Sequence, residues 1–266
     1  MATTVSIERT PPITRITLNR PEVHNAFNEA LIAELTEAFE SLREDEATRV
    51  VILQSAGKSF CAGADLNWMG KMVGYSFAEN LNDARALARM FEAIDQCPKP
   101  VVGRVQGAAM GGGAGLIAVC DVAVAASDAK FAFSEVKLGL IPAVITPYVL
   151  RKIGYGHARA LFVTGERFDA ETALRIGLVQ RVVAAEQLDA AIDAVVQNLL
   201  QNGPNAMAAA KMLLHAALVL PPDELRSLTV ARIAELRVSD EGQEGIRAFL
   251  EKRKPTFAAD SSLRSE

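Results

Sequence analysis

The sequence predicts an α/β fold: a parallel sheet with crossover helices, followed by a helical extension. In the first half, strand-like and helical patterns alternate in the order β, β, α, β, α, β, α, β, which is typical of parallel sheets. From about residue 145 the pattern becomes almost wholly helical. Half of the residues are apolar and only 6% are aromatic, which predicts a core of Ala, Val, Leu and Ile.

Periodicity and proline positions define the elements of the first hundred residues. Two short alternating runs separated by Pro11-Pro12 are typical of strands. Asn25 precedes a stretch in which apolar residues recur at helical spacing, and Pro98 and Pro100 end the helix that follows the next strand. The predicted strands are 5–7, 13–18, 50–53 and 101–105, and the predicted helices are 26–43 and 76–96.

The remaining chain contains further short strands and then mainly helices. A short helix follows the glycines at 111–113, and strand-like runs occupy 121–126, 131–133 and 178–183. The predicted helices are 145–153, 156–164, 170–176, 186–201, 204–219, 222–237 and 240–252. The composition shift near residue 200 divides the chain into a core of 1–200 and a C-terminal helical region of 201–266.

Composition excludes several functional classes. The net charge of −4 argues against a nucleic-acid surface, and three cysteines, an odd number, argue against a disulfide framework. The three histidines lack metal-ligand spacing, so no metal site is expected. There is no run of 18 apolar residues, and the N-terminus lacks the features of a signal or transit peptide, which predicts a cytoplasmic protein.

The most informative motif is the run Gly111–Gly113 between an apolar strand and the apolar run 116–120. Glycines allow close approach of the backbone, and the first N–H groups of a helix bind an anion or an oxygen that becomes anionic. It is not a dinucleotide fingerprint, because position 116 is Leu. A second small-residue turn, 59–66, also follows a strand. The two turns either form one oxyanion hole or are unrelated.

Four motifs carry a family resemblance: FCAGADL at 60–66, PKP at 98–100, QGAAMGGG at 106–113 and CDVAVA at 120–125. Together they resemble the enoyl-CoA hydratase/isomerase (crotonase) superfamily, in register from about residue 5 to Phe257. The resemblance implies a crotonase-type spiral of ββα turns with C-terminal helices, assembled as a trimer or a dimer of trimers. It also implies an acyl-CoA thioester as substrate and no cofactor besides that coenzyme A.

The same resemblance implies the site residues. It assigns the oxyanion hole to the N–H groups of Ala64 and Gly112 and the acid/base role to Glu135. Without it, Glu135 is better explained as a helix-start residue behind a Ser134 cap. The residues expected to contact substrate are Ala62, Ala64, Asp65, Leu66, Asn67, Gly112, Ala143, Phe249 and Lys252. We expect Asp65 to fix its loop or lie near the adenine, and the Ala143 N–H to help hold a water molecule.

One departure bears on the reaction. Many hydratases of this family carry a second catalytic glutamate where this chain has Gly115. The segments 63–69, 114–116 and 140–149 resemble the bacterial methylglutaconyl-CoA and isohexenylglutaconyl-CoA hydratase branch, which implies a dicarboxylic substrate. The cations that are candidates for pairing its distal carboxylate are Lys71, Arg104, Lys137 and Arg151. The alternatives are an enoyl-CoA isomerase with Glu135 as single base, and a non-catalytic CoA-ester-binding or RNA-binding protein on this scaffold.

Overall fold

The computed structural model describes residues 3–258, in which nine strands form two sheets. The six-stranded sheet has the order β1-β2-β3-β4-β6-β9, and the three-stranded sheet has the order β5-β7-β8. The β1–β2 and β7–β8 pairs are antiparallel, and the other pairs are parallel. The strands are β1 (Val5–Thr10), β2 (Ile13–Leu18), β3 (Val50–Ser55), β4 (Val101–Val105), β5 (Ala108–Met110), β6 (Val122–Ala126), β7 (Lys130–Ala132), β8 (Arg167–Asp169) and β9 (Arg181–Val183).

Ten α-helices connect and cover these strands in the same part of the chain. They are α1 (Glu29–Ser41), α2 (Leu66–Met72), α3 (Phe77–Asp95), α4 (Gly112–Val119), α5 (Thr146–Thr164), α6 (Ala170–Arg175), α7 (Leu188–Leu200), α8 (Pro204–Ala217), α9 (Pro222–Val238) and α10 (Asp240–Leu250). Short 3-10 turns lie at Pro21–Val23, Glu135–Leu138 and Ala185–Gln187. Within residues 3–258, no helix has both the length and the apolar character needed to cross a membrane.

The central strands are buried on both faces, as a parallel sheet requires. Because successive side chains point to opposite faces, Val50 and Ile52 of β3 pack with α7, whereas Val51 and Leu53 face the larger core. That larger core contains the buried faces of α1, α3 and α4. The carboxyl ends of β2, β3 and β4 therefore reach the same edge of the sheet, where their loops meet.

The structure corrects the start of the first predicted helix and places a break between two later ones. The first begins at Glu29 rather than residue 26, with the Asn28 side chain accepting a hydrogen bond from the Leu31 N–H at 2.9 Å. Phe27 therefore lies outside α1 and instead forms a parallel bridge with Ala64. The predicted helices 145–153 and 156–164 lie on either side of a kink within α5, where the backbone of Gly154 is non-helical with a φ of 74°. The three-residue strands β5 and β8 were not predicted, because they are too short to show a period.

The C-terminal helices pack mainly on one another and are attached to the core by polar contacts. Lys211 of α8 forms a 2.8 Å ion pair with Asp121. The Arg49 guanidinium donates to the carbonyl of Phe257 at 2.5 Å and to that of Asn202 at 2.7 Å. The structure places α8, α9 and α10 after residue 200, and residues 259–266 of the predicted C-terminal region lie outside the described chain. The boundary at 200 stays a prediction.

Candidate active site

The two small-residue turns lie side by side. The Cys61 N–H donates to the Ala108 carbonyl at 3.0 Å, and the Met110 N–H donates to the Cys61 carbonyl at 2.9 Å. A Cβ on Gly113 would overlap the Cys61 carbonyl oxygen, and one on Gly63 would lie 3.0 Å from the Met110 carbonyl oxygen. These glycines are needed because one backbone passes directly over the other. The interpretation of two unrelated turns is therefore wrong.

The Ala64 N–H is left free by the way its loop is held. Phe27 makes both hydrogen bonds of the bridge, donating to the Gly63 carbonyl at 2.7 Å and accepting from the Asp65 N–H at 2.9 Å. In a parallel bridge of this kind, the residue opposite, Ala64, points its own N–H away. Among the hydrogen bonds of residues 3–258, none is donated by the Ala64 N–H. Ala64 is exposed, so this donor is accessible to a ligand.

The second free donor is at the start of α4. Gly111 has a φ of 52° and donates its N–H to the Ala132 carbonyl at 2.8 Å, so the helix starts at Gly112. The first N–H groups of a helix have no acceptor within that helix, and the Gly112 N–H has no partner elsewhere in the described chain. A Cβ on Gly112 would lie 2.6 Å from Cε2 of Phe27. Phe27 thus contacts both turns: its backbone pairs with Ala64 and its ring packs on Gly112.

Glu135 extends its carboxylate toward this helix start. It begins the 3-10 turn Glu135–Leu138, and a Cβ on Gly111 would lie 3.0 Å from Glu135 Oε1. Its other oxygen, Oε2, is buried and has no hydrogen-bond partner within residues 3–258. Burial raises the pKa of this carboxyl above its ordinary value of 4.5. Ser134 provides no side-chain cap, so the helix-start explanation does not account for Glu135.

The space beside Gly115 is already filled. A Cβ there would overlap Cγ2 of Ile145, and it would lie 3.0 Å from Cβ of Ile145 and 3.2 Å from Cε1 of Phe91. The Phe91 ring in turn packs against Phe27, with centroids 6.3 Å apart, and against Tyr148, with centroids 5.9 Å apart. The site therefore has an apolar wall where the family resemblance implies a second carboxylate in other members.

The other predicted binding residues have varied environments. Asp65 is 4% exposed and binds Arg20 at 2.8 Å and the Asn67 N–H at 2.7 Å, so its carboxylate fixes the loop. The Ala62 N–H donates to the His24 carbonyl at 3.0 Å, so this N–H is not a free donor, and the contact of Ala62 with substrate stays a prediction. The Ala143 N–H donates to the Ile141 carbonyl at 2.7 Å, so it is not a free donor in this structure, and its role in holding water stays a prediction.

Four predicted contacts are exposed in the single chain. Leu66 and Asn67 begin α2, directly after the Ala64 loop, and Leu66 is 83% exposed. Phe249 at the end of α10 is also 83% exposed, and Lys252 follows it with a φ of 56°. The contacts of the described chain do not tie Phe249 or Lys252 to the site, so their binding roles stay predictions.

Three of the four candidate cations already have acidic partners. Lys71 pairs with Glu29 at 2.7 Å, Arg151 with Asp95 at 2.8 Å, and Arg104 with Asp189 at 2.5 Å. Lys137 is exposed, belongs to the same 3-10 turn as Glu135 and has no ion pair among the described residues.

Cysteines and histidines add no further chemistry at the site. Burial raises the pKa of the Cys61 thiol to about 12, as it does for Cys120, so both are packing groups at neutral pH. Within residues 3–258, no three His, Cys, Asp or Glu side chains are grouped closely enough to hold a metal ion.

Three residues that shape the site were not among the predicted site residues: Arg20, Asn25 and Ile145. Arg20 lies two residues after the end of β2, at the carboxyl end of a strand that pairs in parallel with β3. Polar residues at that edge of a parallel sheet are frequent in binding sites, and this was the available signal. Nothing in the sequence indicates that the Ile145 side chain fills the space beside Gly115.

Comparison with known proteins identifies the family. The model of the Enoyl-CoA hydratase/isomerase family matches residues 8–260, and the chain belongs to this family. A crystal structure of an enoyl-CoA hydratase from Shewanella pealeana is 43% identical, covers 95% of each chain and has a TM-score of 0.91. The predicted crotonase-type fold is therefore confirmed.

Two curated relatives represent the two reactions in the family's description. A crotonyl-CoA hydratase of Syntrophomonas wolfei is 32% identical over 255 residues, covering 95% of this chain and 97% of the relative. A trans-2-decenoyl-acyl-carrier-protein isomerase of Streptococcus mutans is 31% identical over 253 residues, covering 92% of this chain and 94% of the relative. These names do not distinguish a methylglutaconyl-CoA branch, so that assignment stays a prediction.

Proposed function

We propose that the chain is an enoyl-CoA hydratase that adds water across the α,β double bond of an acyl-CoA thioester or removes it. The observation that carries the proposal is the buried, unpartnered Oε2 of Glu135 close to a helix start whose Gly112 N–H is free. A buried polar atom without a partner is costly to a fold and is typical of a functional group. The free Ala64 N–H on the adjoining loop supplies the second donor.

In the proposed mechanism the thioester oxygen accepts hydrogen bonds from the N–H groups of Ala64 and Gly112. The Glu135 carboxylate takes a proton from water as the water oxygen bonds to Cβ, and the electrons of the double bond move to the thioester oxygen. The resulting enolate is stabilised by the two donors; loss of one such donor typically lowers kcat about 10²–10³-fold. The Glu135 carboxyl then returns its proton to Cα. Its raised pKa brings it closer to neutral pH, which suits both transfers.

We further propose a branched, dicarboxylic substrate such as 3-methylglutaconyl-CoA. The support is the sequence resemblance of 63–69 and 140–149 together with Lys137, whose charge is unpaired in the described chain and which follows Glu135 by two positions. A charge-assisted hydrogen bond to the distal carboxylate contributes roughly 1.5–3 kcal/mol. Comparing kcat/KM for 3-methylglutaconyl-CoA and 3-methylcrotonyl-CoA tests this, since they differ in that carboxylate. Equal values would reject a dicarboxylate preference.

The second candidate function is an enoyl-CoA isomerase, and the filled space beside Gly115 favours it. A double-bond shift needs one base that moves a single proton, and the space beside Gly115, where a second carboxylate would stand, is taken by Ile145 and Phe91. Absorbance of the conjugated enoyl thioester separates the reactions, because hydration removes conjugation and isomerisation of a 3-enoyl substrate creates it. A non-catalytic CoA-ester-binding or RNA-binding protein would change neither signal.

We propose that the protein works in the cytoplasm as a homotrimer or a dimer of trimers. Large apolar side chains are exposed on the C-terminal helices and on the segment after Glu135. Such surfaces are typical of subunit contacts. They include Leu138, Ile141, Leu214, Val230 and Phe249. Sedimentation of an active monomer would contradict this assembly.

A further inference from the structure

We propose that Arg20 is a positioning residue that holds the Ala64 N–H in place for the reaction. The inference rests on the proposed function, because it takes Ala64 as a donor to the thioester oxygen. It concerns the segment 19–27, which connects β2 to α1 and lies against the Ala64 loop along its length.

The Arg20 guanidinium joins the two backbone segments that make the bridge at Ala64. Its Nη2 lies 2.8 Å from Oδ2 of Asp65, the residue after Ala64. Its Nη1 donates at 2.5 Å to the carbonyl of Ala26, the residue before Phe27. The side chains of Arg20 and Asp65 are only 14% and 4% exposed, so solvent weakens this contact little. The planar guanidinium makes both directional bonds at once, which an ammonium group does not.

Asn25 fixes the same segment from the other side. Its Oδ1 accepts a hydrogen bond from the Arg20 N–H at 2.9 Å, and its Nδ2 donates to the carbonyls of Ala56 at 2.7 Å and Ser59 at 2.9 Å. Asn25 is fully buried with a φ of 55°, and His24 has a φ of 53°. Two successive non-glycine residues in this region are disfavoured unless the surroundings hold them.

These contacts leave the loop little freedom around the Ala64 donor. The Ala62 N–H, the Gly63 carbonyl and the Asp65 N–H are all bonded to residues of the 19–27 segment. Asp65 also binds the Asn67 N–H at 2.7 Å, which ties the loop to the start of α2. Burial alone would raise the pKa of Asp65, but the hydrogen bonds from Arg20 and from the backbone hold that pKa below its ordinary value. Without Arg20, a buried carboxylate beside Ala64 loses its cation, and the loop must rearrange.

The expected consequence is a selective loss of thioester polarisation. The Gly112 donor belongs to α4, and no hydrogen bond joins Arg20 to Gly112 in the described chain. Arg20→Met should therefore weaken one donor of two and lower kcat roughly 10²-fold, the effect of misplacing or removing one catalytic group. KM should change by less than about threefold. Arg20→Lys keeps the charge and should restore kcat only in part.

The test combines kinetics with the absorption spectrum of bound cinnamoyl-CoA. This chromophore absorbs at longer wavelength when its thioester carbonyl is polarised, so the red shift reports the donors without turnover. Asp65→Asn provides a second variant that retains an oxygen to accept from the Asn67 N–H but lacks the charge. Lys211→Met is the matched control, because it breaks an ion pair of the same 2.8 Å length on α8. We expect a reduced red shift in Arg20→Met and Asp65→Asn and the wild-type shift in Lys211→Met.

Three results would overturn the positioning role. The first is that folded Arg20→Met shows the red shift and the kcat of the wild type. If Arg20→Met does not fold, the same result in Asp65→Asn would overturn the role instead. The second is an equal loss in Lys211→Met, which would indicate general destabilisation. The third is additive effects of Arg20→Met and Asp65→Asn on kcat, since partners in one ion pair are expected to be non-additive. If the wild-type protein itself gave no red shift and no turnover, the proposed function would fail instead.

Discussion

Gly115→Ala should destabilise the protein, although alanine is normally the better residue in a helix. The added Cβ would overlap Cγ2 of Ile145 and lie 3.2 Å from Cε1 of Phe91, and Ile145 is only 3% exposed. Optimal carbon contacts are about 3.5–4.0 Å, so the side chains must move within a closed core. Overpacking of this kind costs about 1–3 kcal/mol, which exceeds the roughly 0.5–1 kcal/mol that alanine contributes over glycine in a helix.

Chemical or thermal unfolding of three variants measures this cost. Gly70→Ala is the matched control, because Gly70 is a helical glycine in α2 whose added Cβ would meet nothing within 4 Å. It should leave the free energy of unfolding unchanged or raise it. Gly115→Ala should lower the apparent Tm, by about 2–4 °C for each kcal/mol in a chain of this size. Ile145→Ala should remove the clash, so the double variant should be more stable than the sum of the single effects.

Stabilisation by Gly115→Ala equal to that by Gly70→Ala would refute the reasoning, as would strictly additive effects of Gly115→Ala and Ile145→Ala. The same obstruction applies to a glutamate at position 115. Gly115→Glu should therefore yield a poorly folded protein rather than a site with two carboxylates.

Further predictions concern the base, the substrate and the C-terminal helix. Glu135→Gln should lower kcat about 10²–10⁴-fold with little change in CoA-thioester affinity. The activity of the wild type should decrease as the pH is lowered through the pKa of Glu135, which lies above its ordinary value of 4.5. Because the pKa of Glu135 is raised in the folded protein, its ionised carboxyl destabilises the fold only at pH values above the pKa of the unfolded chain. Glu135→Gln should therefore raise the free energy of unfolding at neutral pH, and this gain should vanish in acid. An equal gain at every pH would contradict this. Lys137→Met should reduce the kcat/KM preference for 3-methylglutaconyl-CoA over 3-methylcrotonyl-CoA about tenfold, whereas Lys130→Met, an exposed control on β7, should leave it unchanged. Phe249→Ala should raise KM and weaken assembly together. Wild-type sedimentation together with an unchanged KM would reject that role.

Periodicity located α1 and α3 because each helix buries one face, whereas continuous apolar runs located β3 and β4, which are buried on both faces. The helix at 76–96 and the strands β2 and β4 lie where the sequence predicts them. Phe27 was assigned to a helix because it lies four positions before Leu31, yet its partner is Ala64, far along the chain. Such a non-local bridge leaves no periodic signal. Of the three-residue strands, β7 and β9 were located by short apolar runs, whereas β5 and β8 were missed because one alternation does not distinguish a strand from a loop.

The sequence indicated the candidate catalytic groups of the site but not the residues that hold these groups in place. Glycine runs and Glu135 could be assigned from local sequence and family resemblance. The roles of Arg20 and Ile145 depend on which side chains meet across the sheet edge, and Ala143 depends on how its own loop turns. These contacts are consequences of tertiary packing, and the pattern of a single sequence does not reveal them.

The central claim is that Glu135 moves a proton at Cα while Ala64 and Gly112 hold the thioester oxygen. Hydration of an enoyl-CoA in D2O, followed by mass spectrometry of the product, measures that transfer directly. The wild-type protein should place one deuterium at Cα, and Glu135→Gln should lose about 10²-fold or more of this rate while it still shifts the absorption of bound cinnamoyl-CoA. Deuterium incorporation at the wild-type rate by Glu135→Gln would contradict the account.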